Sequence, residues 1–433
     1  MDASVVGVIG IVMLIGILFT RLPVAFTMAL VGFLGFSYLV SPGAGFHLLA
    51  TDFYDTFGSY NLTVAPLFIL MGQIAFHSGI SQRLFNCAYK MIGNTRGGLA
   101  IATIAASAGF ASICGSTSAS AATMATVALP EMEKYKYDMG LATGAVAAGG
   151  TLGILIPPST IFIVYGIMTE QSIGTLFLAG IVPGILLSIL FIITVCILVW
   201  IKPERGPAGP RTTWLEKFKS LGSVIEMIII FGLVMVGLFK GFFTPTEAGA
   251  AGAGITLSVV IVRGMITRKA FVLAVQDTVR VSCMVLTIIA GATIFGHFLA
   301  ITRIPYNLAS VVQELPLPGW AIIGLIISIY FIGGCFMDSL AMILLTIPIF
   351  YPVVISLGYD PIWFGVIIVL VGEMGVITPP VGINVYVVNG VAKNVPLHVI
   401  FKGCAPFVIA LVVCNALLIL SSDIALFLPR LFN

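Results

Sequence analysis

Charge is what this chain has least of. Only 9% of its 433 residues are Asp, Glu, Lys or Arg and 59% are hydrophobic, against roughly 25% charged and 45–50% apolar in ordinary soluble domains. Twenty Lys and Arg with 17 Asp and Glu cannot clothe a water-facing surface of this length, which excludes a soluble enzyme. The net charge of +3 comes from scattered positions, which excludes a nucleic-acid patch. The seven cysteines, Cys87, Cys114, Cys196, Cys283, Cys335, Cys404 and Cys414, lie mostly in apolar stretches without CxxC or Cys/His spacing. That pattern predicts neither a disulfide nor a metal centre. GxxxxGK[ST] and HExxH are missing, which argues against P-loop ATP hydrolysis and metalloprotease chemistry. The chain is expected not to be an enzyme and to carry no cofactor. No basic n-region and no small-residue cleavage site precede the first break at Arg21-Leu22-Pro23, so the first apolar block is expected to be retained.

What is present is apolar sequence, with a mean hydropathy of +1.16. A spanning helix takes ~20 mostly apolar residues. Candidate spans fall at 4–20, 23–40, 62–76, 138–169 and 174–200, then at 223–239, 246–262, 281–300, 361–390 and 397–420. Two further apolar segments, 98–130 and 319–352, are interrupted by small polar centres and read as re-entrant hairpins. With the N-terminus outside, only Lys240, Arg303 and Arg430 of the 20 Lys and Arg fall outside, leaving 17 inside, a strong positive-inside bias. Counting either hairpin as a full crossing would invert everything after it and put the basic stretch 202–219 on the wrong side. Arg21 faces either the inner surface or the cavity, and the charge distribution already accounts for it at the surface. His77 and His297, near the ends of corresponding helices, are read as interfacial.

A shift of 222 positions pairs Pro23 with Pro245, Pro130 with Pro352, and Tyr137-Asp138 with Tyr359-Asp360. It also pairs Gly150 with Gly372, Gly153 with Gly375, and Pro157-Pro158 with Pro379-Pro380. The expected fold is therefore an all-α polytopic membrane protein built from two repeats. Repeat 1 occupies 1–200, an inner loop 201–222, and repeat 2 occupies 223–433. Each repeat has five spans and one hairpin. An odd number of spans sets the second repeat upside down, an arrangement found in secondary transporters with a site at the repeat interface.

Four interruptions recur at matching places. They are the hairpin centres 114–120 and 333–339, and the segments 153–160 and 375–382 that hold the two Pro-Pro pairs. Proline removes a backbone donor and clashes with the preceding turn, so each pair should unwind a helix within the membrane. Unwound backbone is tolerated there only against protein or a water-filled cavity, so the four breaks should converge. Half-helices that start at a break offer N–H groups to a carboxylate, and those that end there offer carbonyls to a cation. Hydroxyls of Ser116, Thr117, Ser118, Ser159, Ser339 and Thr378 complete an oxygen-rich cage suited to sodium coupled to an anionic substrate. The bland reading of these breaks is a proline kink, and of the hairpin tip a small-residue packing surface. Asp338, a carboxylate inside an apolar hairpin, is the sharpest candidate. It contacts sodium, orients the tip by accepting backbone N–H groups, carries a proton, or is simply solvated near the outer face. Glu373 and Asn384 flank the second break, and Glu373 is read as a partner for a hydroxyl or an inner-face Arg.

The runs GSTSASAATMATVALPEM, GGTLGILIPPS, FMDSLAMILLTIPIFYP and GEMGVITPPVGINVYVVNGV, with RLPVAF and FTPTEAGA, resemble the large membrane subunit (DctM type) of tripartite ATP-independent periplasmic (TRAP) transporters over essentially the whole chain. The resemblance implies a bacterial inner-membrane protein with both termini periplasmic. It also implies sodium-driven uptake of an organic acid such as a C4-dicarboxylate or sialic acid, and an elevator-type motion of hairpins and broken helices against a scaffold. Implied partners are a small four-helix membrane subunit (DctQ type), expected to be separate because this chain contains no additional N-terminal four-helix segment, and a periplasmic binding protein (DctP type). By motif position, sodium would fall on Gly115, Ser116, Thr117 and Ser118 with Gly153, Ile156 and Pro157, and on Gly334, Asp338 and Ser339 with Gly375, Thr378 and Pro379. The substrate would meet Ser116, Ser118, Pro158, Ser159, Ser339, Pro380 and Asn384. Many relatives carry an acidic residue shortly after the first Gly-Ser turn, where this chain has Ala119-Ser120-Ala121-Ala122. Two other functions fit the same plan: a stand-alone sodium/dicarboxylate symporter of the divalent-anion type, and a non-transporting membrane assembly factor.

Overall fold

The computed structural model describes every residue except 1, 21, 210, 211, 223, 315 and 433, so Arg21 and Arg211 lie outside the described residues. Among the described residues the chain is helical, without strands. The first half holds α1 (Ala3–Leu18), α2 (Val24–Leu39), α3 (Pro42–Gly58), α4 (Val64–His77) and α5 (Ile80–Ile92). It continues with α6 (Gly98–Cys114), α7 (Thr117–Lys134), α8 (Met139–Thr151), α9 (Thr160–Met168) and α10 (Ile173–Ile201). A short helix α11 (Trp214–Leu221) leads to α12 (Ile225–Phe239), α13 (Pro245–Val262), α14 (Arg268–Thr302), α15 (Ile304–Glu314) and α16 (Gly319–Gly334). The chain ends with α17 (Ser339–Ser356), α18 (Pro361–Gly375), α19 (Ile383–Val391), α20 (Leu397–Leu420) and α21 (Asp423–Phe432).

The helices recur at the sequence offset. Thr117–Lys134 and Ser339–Ser356 match at both ends after a shift of 222, and α1 with α12, α2 with α13, and α10 with α20 match to within a turn. The duplicated Tyr-Asp pairs explain one matched boundary. Asp138 Oδ1 accepts from Leu141 N–H at 2.9 Å to start α8, and Asp360 Oδ1 accepts from Ile362 and Trp363 N–H at 2.8 and 3.0 Å to start α18. Such a cap satisfies donors that the helix itself cannot and is worth about 1 kcal/mol.

Several boundaries differ from the sequence reading. α3 was not among the candidate spans: it carries Asp52 and Asp55, and it meets the following segment at 56°. Its start is nonetheless written in Ser41, which accepts from Ala44 N–H at 3.2 Å, with Pro42 at the first helical position, the usual opening signals. α14 runs for 35 residues rather than starting at 281, and no proline interrupts 268–302. Pro130 and Pro352 lie inside α7 and α17 instead of ending them. Among the described residues five helices, α10, α13, α14, α17 and α20, are each long and apolar enough to cross a bilayer, or up to seven if bent pairs are joined; α17 is one of them although it lies in the segment read as the second hairpin. The other expected crossings rest on shorter apolar helices, α1 and α2 among them, and on the broken pairs α8/α9 and α18/α19.

Two sets of helices are each packed among themselves, and they meet where α4 touches α6 and α9 and where α14 touches α17. In one, α14 lies against α2, α3 and α4, while α13 lies against α4 and α12. In the other, α8 lies against α6, α7 and α20, and α18 lies against α16, α17 and α20. Both sets mix helices of the two halves, so neither half is a free-standing unit. His77 Nε2 sits 3.0 Å from Asp277 Oδ2 and His297 Nδ1 2.9 Å from Asp52 Oδ2, fastening α4 and α3 to α14. The two histidines are thus interhelical clamps as well as near-terminal residues. α5 lies against α4, α6 and α7, and α15 against α14 and α17, so each spans the two sets. The seven cysteines are free.

Candidate functional site

The first hairpin turns over three residues. α6 ends at Cys114, Gly115 adopts φ +60°, and Ser116 opens α7 by accepting from Ala119 N–H at 3.4 Å. Gly115 is required twice over. Its φ lies in the left-handed region, and a Cβ there would sit 2.9 Å from the Pro158 carbonyl oxygen. That carbonyl belongs to the first break, whose Thr160 hydroxyl donates to Gly115 O at 2.6 Å. A Cβ on Gly153 would lie 2.9 Å from the Ser116 carbonyl carbon. The tip and the break between α8 and α9 are therefore in backbone contact, and Ser159 caps α9 by accepting from Phe162 N–H at 3.3 Å.

The second hairpin repeats this junction with other side chains. Asp338, at the position matching Ser116, opens α17 through Oδ2, which accepts from Leu340 N–H at 3.1 Å. Val381 N–H donates to Cys335 O at 3.2 Å. A Cβ on Gly375 would lie 2.6 Å from Gly334 Cα, so the tip again rests on the break. Ser339 Oγ donates to Glu373 Oε1 at 3.3 Å, which makes Glu373 the partner of a hydroxyl. Glu373 is wholly buried, and its Oε2 has no partner among the described residues. Both Pro-Pro bonds are cis.

The junctions are tied to each other. Thr117 Oγ1 donates to Asn384 Oδ1 at 2.9 Å, and Asn384 Nδ2 donates to Ala147 O at 3.3 Å. One side chain of α19 thus joins the first tip to α8. On the opposite side, Tyr165 of α9 donates to Pro361 O at 2.6 Å, at the start of α18. Four helices (α7, α9, α17, α19) begin at these breaks and four (α6, α8, α16, α18) end at or just before them. Donors suited to an anion therefore lie beside carbonyls suited to a cation.

Burial divides the candidates. Gly115, Gly153, Pro157, Pro158, Ser159, Gly334, Ser339, Gly375 and Asn384 are buried, whereas Ser116, Thr117, Ile156 and Thr378 are partly covered. Ser118, Asp338, Pro379 and Pro380 are exposed. Thr378 donates to Met374 O at 2.6 Å. Beside the second tip, an apolar cavity of about 720 Å³ separates Gly333, Phe336, Met337 and Met342 from Leu14 and Phe295 of α1 and α14. Sequence reasoning missed Thr160, whose only signal is its place two residues after the prolines.

A profile of the family described as "Tripartite ATP-independent periplasmic transporter, DctM component" matches residues 11–424. The C4-dicarboxylate TRAP transporter large permease protein DctM of Pseudomonas aeruginosa is 36% identical over 388 residues, covering 88% of this chain and 89% of that protein. The sialic acid TRAP transporter large permease protein SiaM of Vibrio cholerae is 32% identical over 423 residues, covering 96% and 97%. The ectoine TRAP transporter large permease protein TeaC of Halomonas elongata is 30% identical over 421 residues, with the same coverage of 96% and 97%. The crystal structure of the Alcanivorax borkumensis YdaH transporter superposes with a TM-score of 0.64 over 86% of this chain and 87% of that one, at 14% identity. At that identity the likeness is one of fold.

Proposed function

The chain belongs to the DctM component family of tripartite ATP-independent periplasmic transporters, and from that premise we propose that it moves an organic acid across a bacterial inner membrane on a sodium gradient. In a tripartite system the large permease works with a small membrane subunit and a periplasmic binding protein; here the proposed partners are of the DctQ and DctP types. Relatives are named for C4-dicarboxylate, sialic acid and ectoine, compounds that share a carboxylate and little else. A carboxylate suits the helix N-termini gathered at the breaks. No catalytic step is needed, and the chain acts as a carrier, not an enzyme.

One observation carries the sodium reading. Ser116 and Asp338 occupy the same position in the two hairpins and do the same capping task. Capping needs only an oxygen, which the neutral serine supplies, so the charge on Asp338 is surplus to the fold. Asp338 is exposed at the tip, which leaves its carboxylate open to a cation, and the carbonyls ending α16 and α18 beside it make sodium a fitting counter-ion. We place one sodium at each junction of tip and break, with the residues given above, and the acid between them.

The packing supports an elevator motion. The helices that carry the breaks form one set, with α1–α4 and α12–α14 in the other, and an apolar cavity separates part of the second tip from α1 and α14. Opposite insertion of the two repeats, with both termini periplasmic, fits the recurrence of helices at one offset and would put 17 of the 20 basic residues on the inner side, Lys240, Arg303 and Arg430 being the exceptions. The test is uptake by vesicles holding the full chain, its small subunit and its binding protein. An inward sodium gradient should drive accumulation of the bound acid and an equal potassium gradient should not. Equal uptake with either cation would overturn sodium coupling, and full uptake without the binding protein would favour a stand-alone symporter.

A further inference from the structure

The segment between the two halves carries a surface that the transport reading does not use. α11 is eight residues long, Trp214-Leu215-Glu216-Lys217-Phe218-Lys219-Ser220-Leu221. At 100° per residue, Trp214, Leu215, Phe218 and Leu221 fall within about 120° of the helix circumference. All four are exposed, Trp214 at 75% and Leu215 at 79%. Lys217 and Lys219 border that face, one on each side, about 40° beyond its edges. Glu216 and Ser220 lie opposite. Ser220 is buried on the side where α11 packs against α5. Glu216 is engaged in a capping box, its Oε2 accepting from Thr213 N–H and Oγ1 at 2.9 Å each. Those bonds hold its carboxyl below the usual carboxylate range, so it stays charged on an exposed face away from the apolar one.

An apolar face turned away from the protein in a membrane-spanning chain meets lipid, and lysines along its margins reach the level of the headgroups. Lys217 Nζ lies 5.1 Å from the Trp214 ring centroid, which keeps its ammonium at the edge of the face. The helix is also tied to the body of the protein. Thr212 Oγ1 donates to Lys90 O at 2.7 Å, Gly209 N–H to Gly93 O at 2.9 Å, and Gly97 N–H to Gly206 O at 2.8 Å. These bonds fix the linker to α5 and to the root of the first hairpin.

We propose that α11 is a bilayer anchor whose apolar face enters the adjacent leaflet and whose Lys217 and Lys219 hold the phosphates of anionic phospholipids. Through α5, which spans the two helix sets, the anchored linker sets the depth of the first hairpin's root against the membrane. This role is independent of the transported acid and of the coupling ion.

The experiment uses the full chain in vesicles of phosphatidylcholine with phosphatidylglycerol, three to one. The exposed Cys196 and Cys283 are replaced by Ser, and a small fluorophore is attached to Leu215→Cys or, as the opposite face, to Glu216→Cys. Expected is strong quenching at 215 by chain-brominated lipid and weak quenching by aqueous iodide, with the reverse at 216. Iodide quenching at 215 as strong as at 216 would overturn the seating, and protection of 215 from both quenchers would show a protein partner instead. With the fluorophore at 215, brominated phosphatidylglycerol should quench better than brominated phosphatidylcholine. Lys217→Gln and Lys219→Gln should each lower that preference about fivefold. An unchanged preference in the double variant would overturn the headgroup assignment.

Discussion

The two breaks share a motif and differ in their surroundings. Pro157 and Pro158 are buried, and Ser159 behind them caps α9 with its hydroxyl inside the protein. Pro379 and Pro380 are exposed, Val381 stands where Ser159 did, and Gly382 takes φ +61° to start α19. The tips differ in the same sense: a neutral Ser116 in the first, and an exposed, charged Asp338 in the second. Behind them, Thr151 matches Glu373; the threonine donates to Ala148 O at 2.6 Å, whereas one oxygen of the glutamate has no partner among the described residues. The cis Pro-Pro pairs and the close approaches at Gly153 and Gly375 recur in both halves, whereas the left-handed glycine sits in the tip of the first (Gly115) and behind the prolines of the second (Gly382), and the acidic side chains at these matched positions, Asp338 and Glu373, stand only in the second. The lesson is that the duplicated glycines and prolines build the junction, and the unmatched side chains assign it a task.

If that division holds, removing charge from the second tip costs function and leaves the fold. Asp338→Asn keeps an oxygen for the cap, so the variant should insert and melt like the parent while sodium-dependent uptake falls roughly a hundredfold, about 2.8 kcal/mol. Asp338→Ser, which makes the second tip resemble the first, should lose as much. The opposite experiment attacks the shared scaffold. Gly375→Ala forces a Cβ onto the Gly334 backbone and should destabilise the chain by about 1–3 kcal/mol, read as a lower melting temperature. Gly153→Ala should do the same at the first junction, because there too the obstructing atoms are backbone.

Glu373→Gln sharpens the contrast with Thr151. The amide can still accept from Ser339, so stability should be unchanged or improved, since a buried unpaired carboxylate is costly. The sodium concentration for half-maximal uptake should nonetheless rise roughly tenfold, about 1.4 kcal/mol; an unchanged value would reduce Glu373 to a packing residue. Smallest is Ser116→Ala, which removes the first cap and should cost about 1 kcal/mol of stability with a lesser loss of sodium dependence than at Asp338. A larger loss there than at Asp338 would reverse the comparison.

Much of this was legible in the sequence because it is written in backbone chemistry. The Pro-Pro pairs, the Gly-rich tips and the capping Asp138 and Asp360 announce breaks and starts by mechanism, and helices pair across tight turns at α6–α7 and α16–α17. α3 was not legible, since its acidic residues hide it from a search for apolar runs, and α14 ran further than its apolar portion. The clamps His77–Asp277 and His297–Asp52 join residues about 200 or more positions apart, a distance no local pattern bridges. Asn384 was visible as a flanking polar residue, but its bond to Thr117 depends on how the halves interlock.

The most direct test is the sodium response of the purified full chain without substrate. Melting should be followed against rising sodium or potassium for the parent and for Asp338→Asn. The account predicts that sodium raises the melting temperature of the parent, that potassium does not, and that the variant starts from a similar temperature yet responds to neither. A variant that sodium stabilises as strongly as the parent would contradict it, because the charge at the second tip would then have no part in holding the ion.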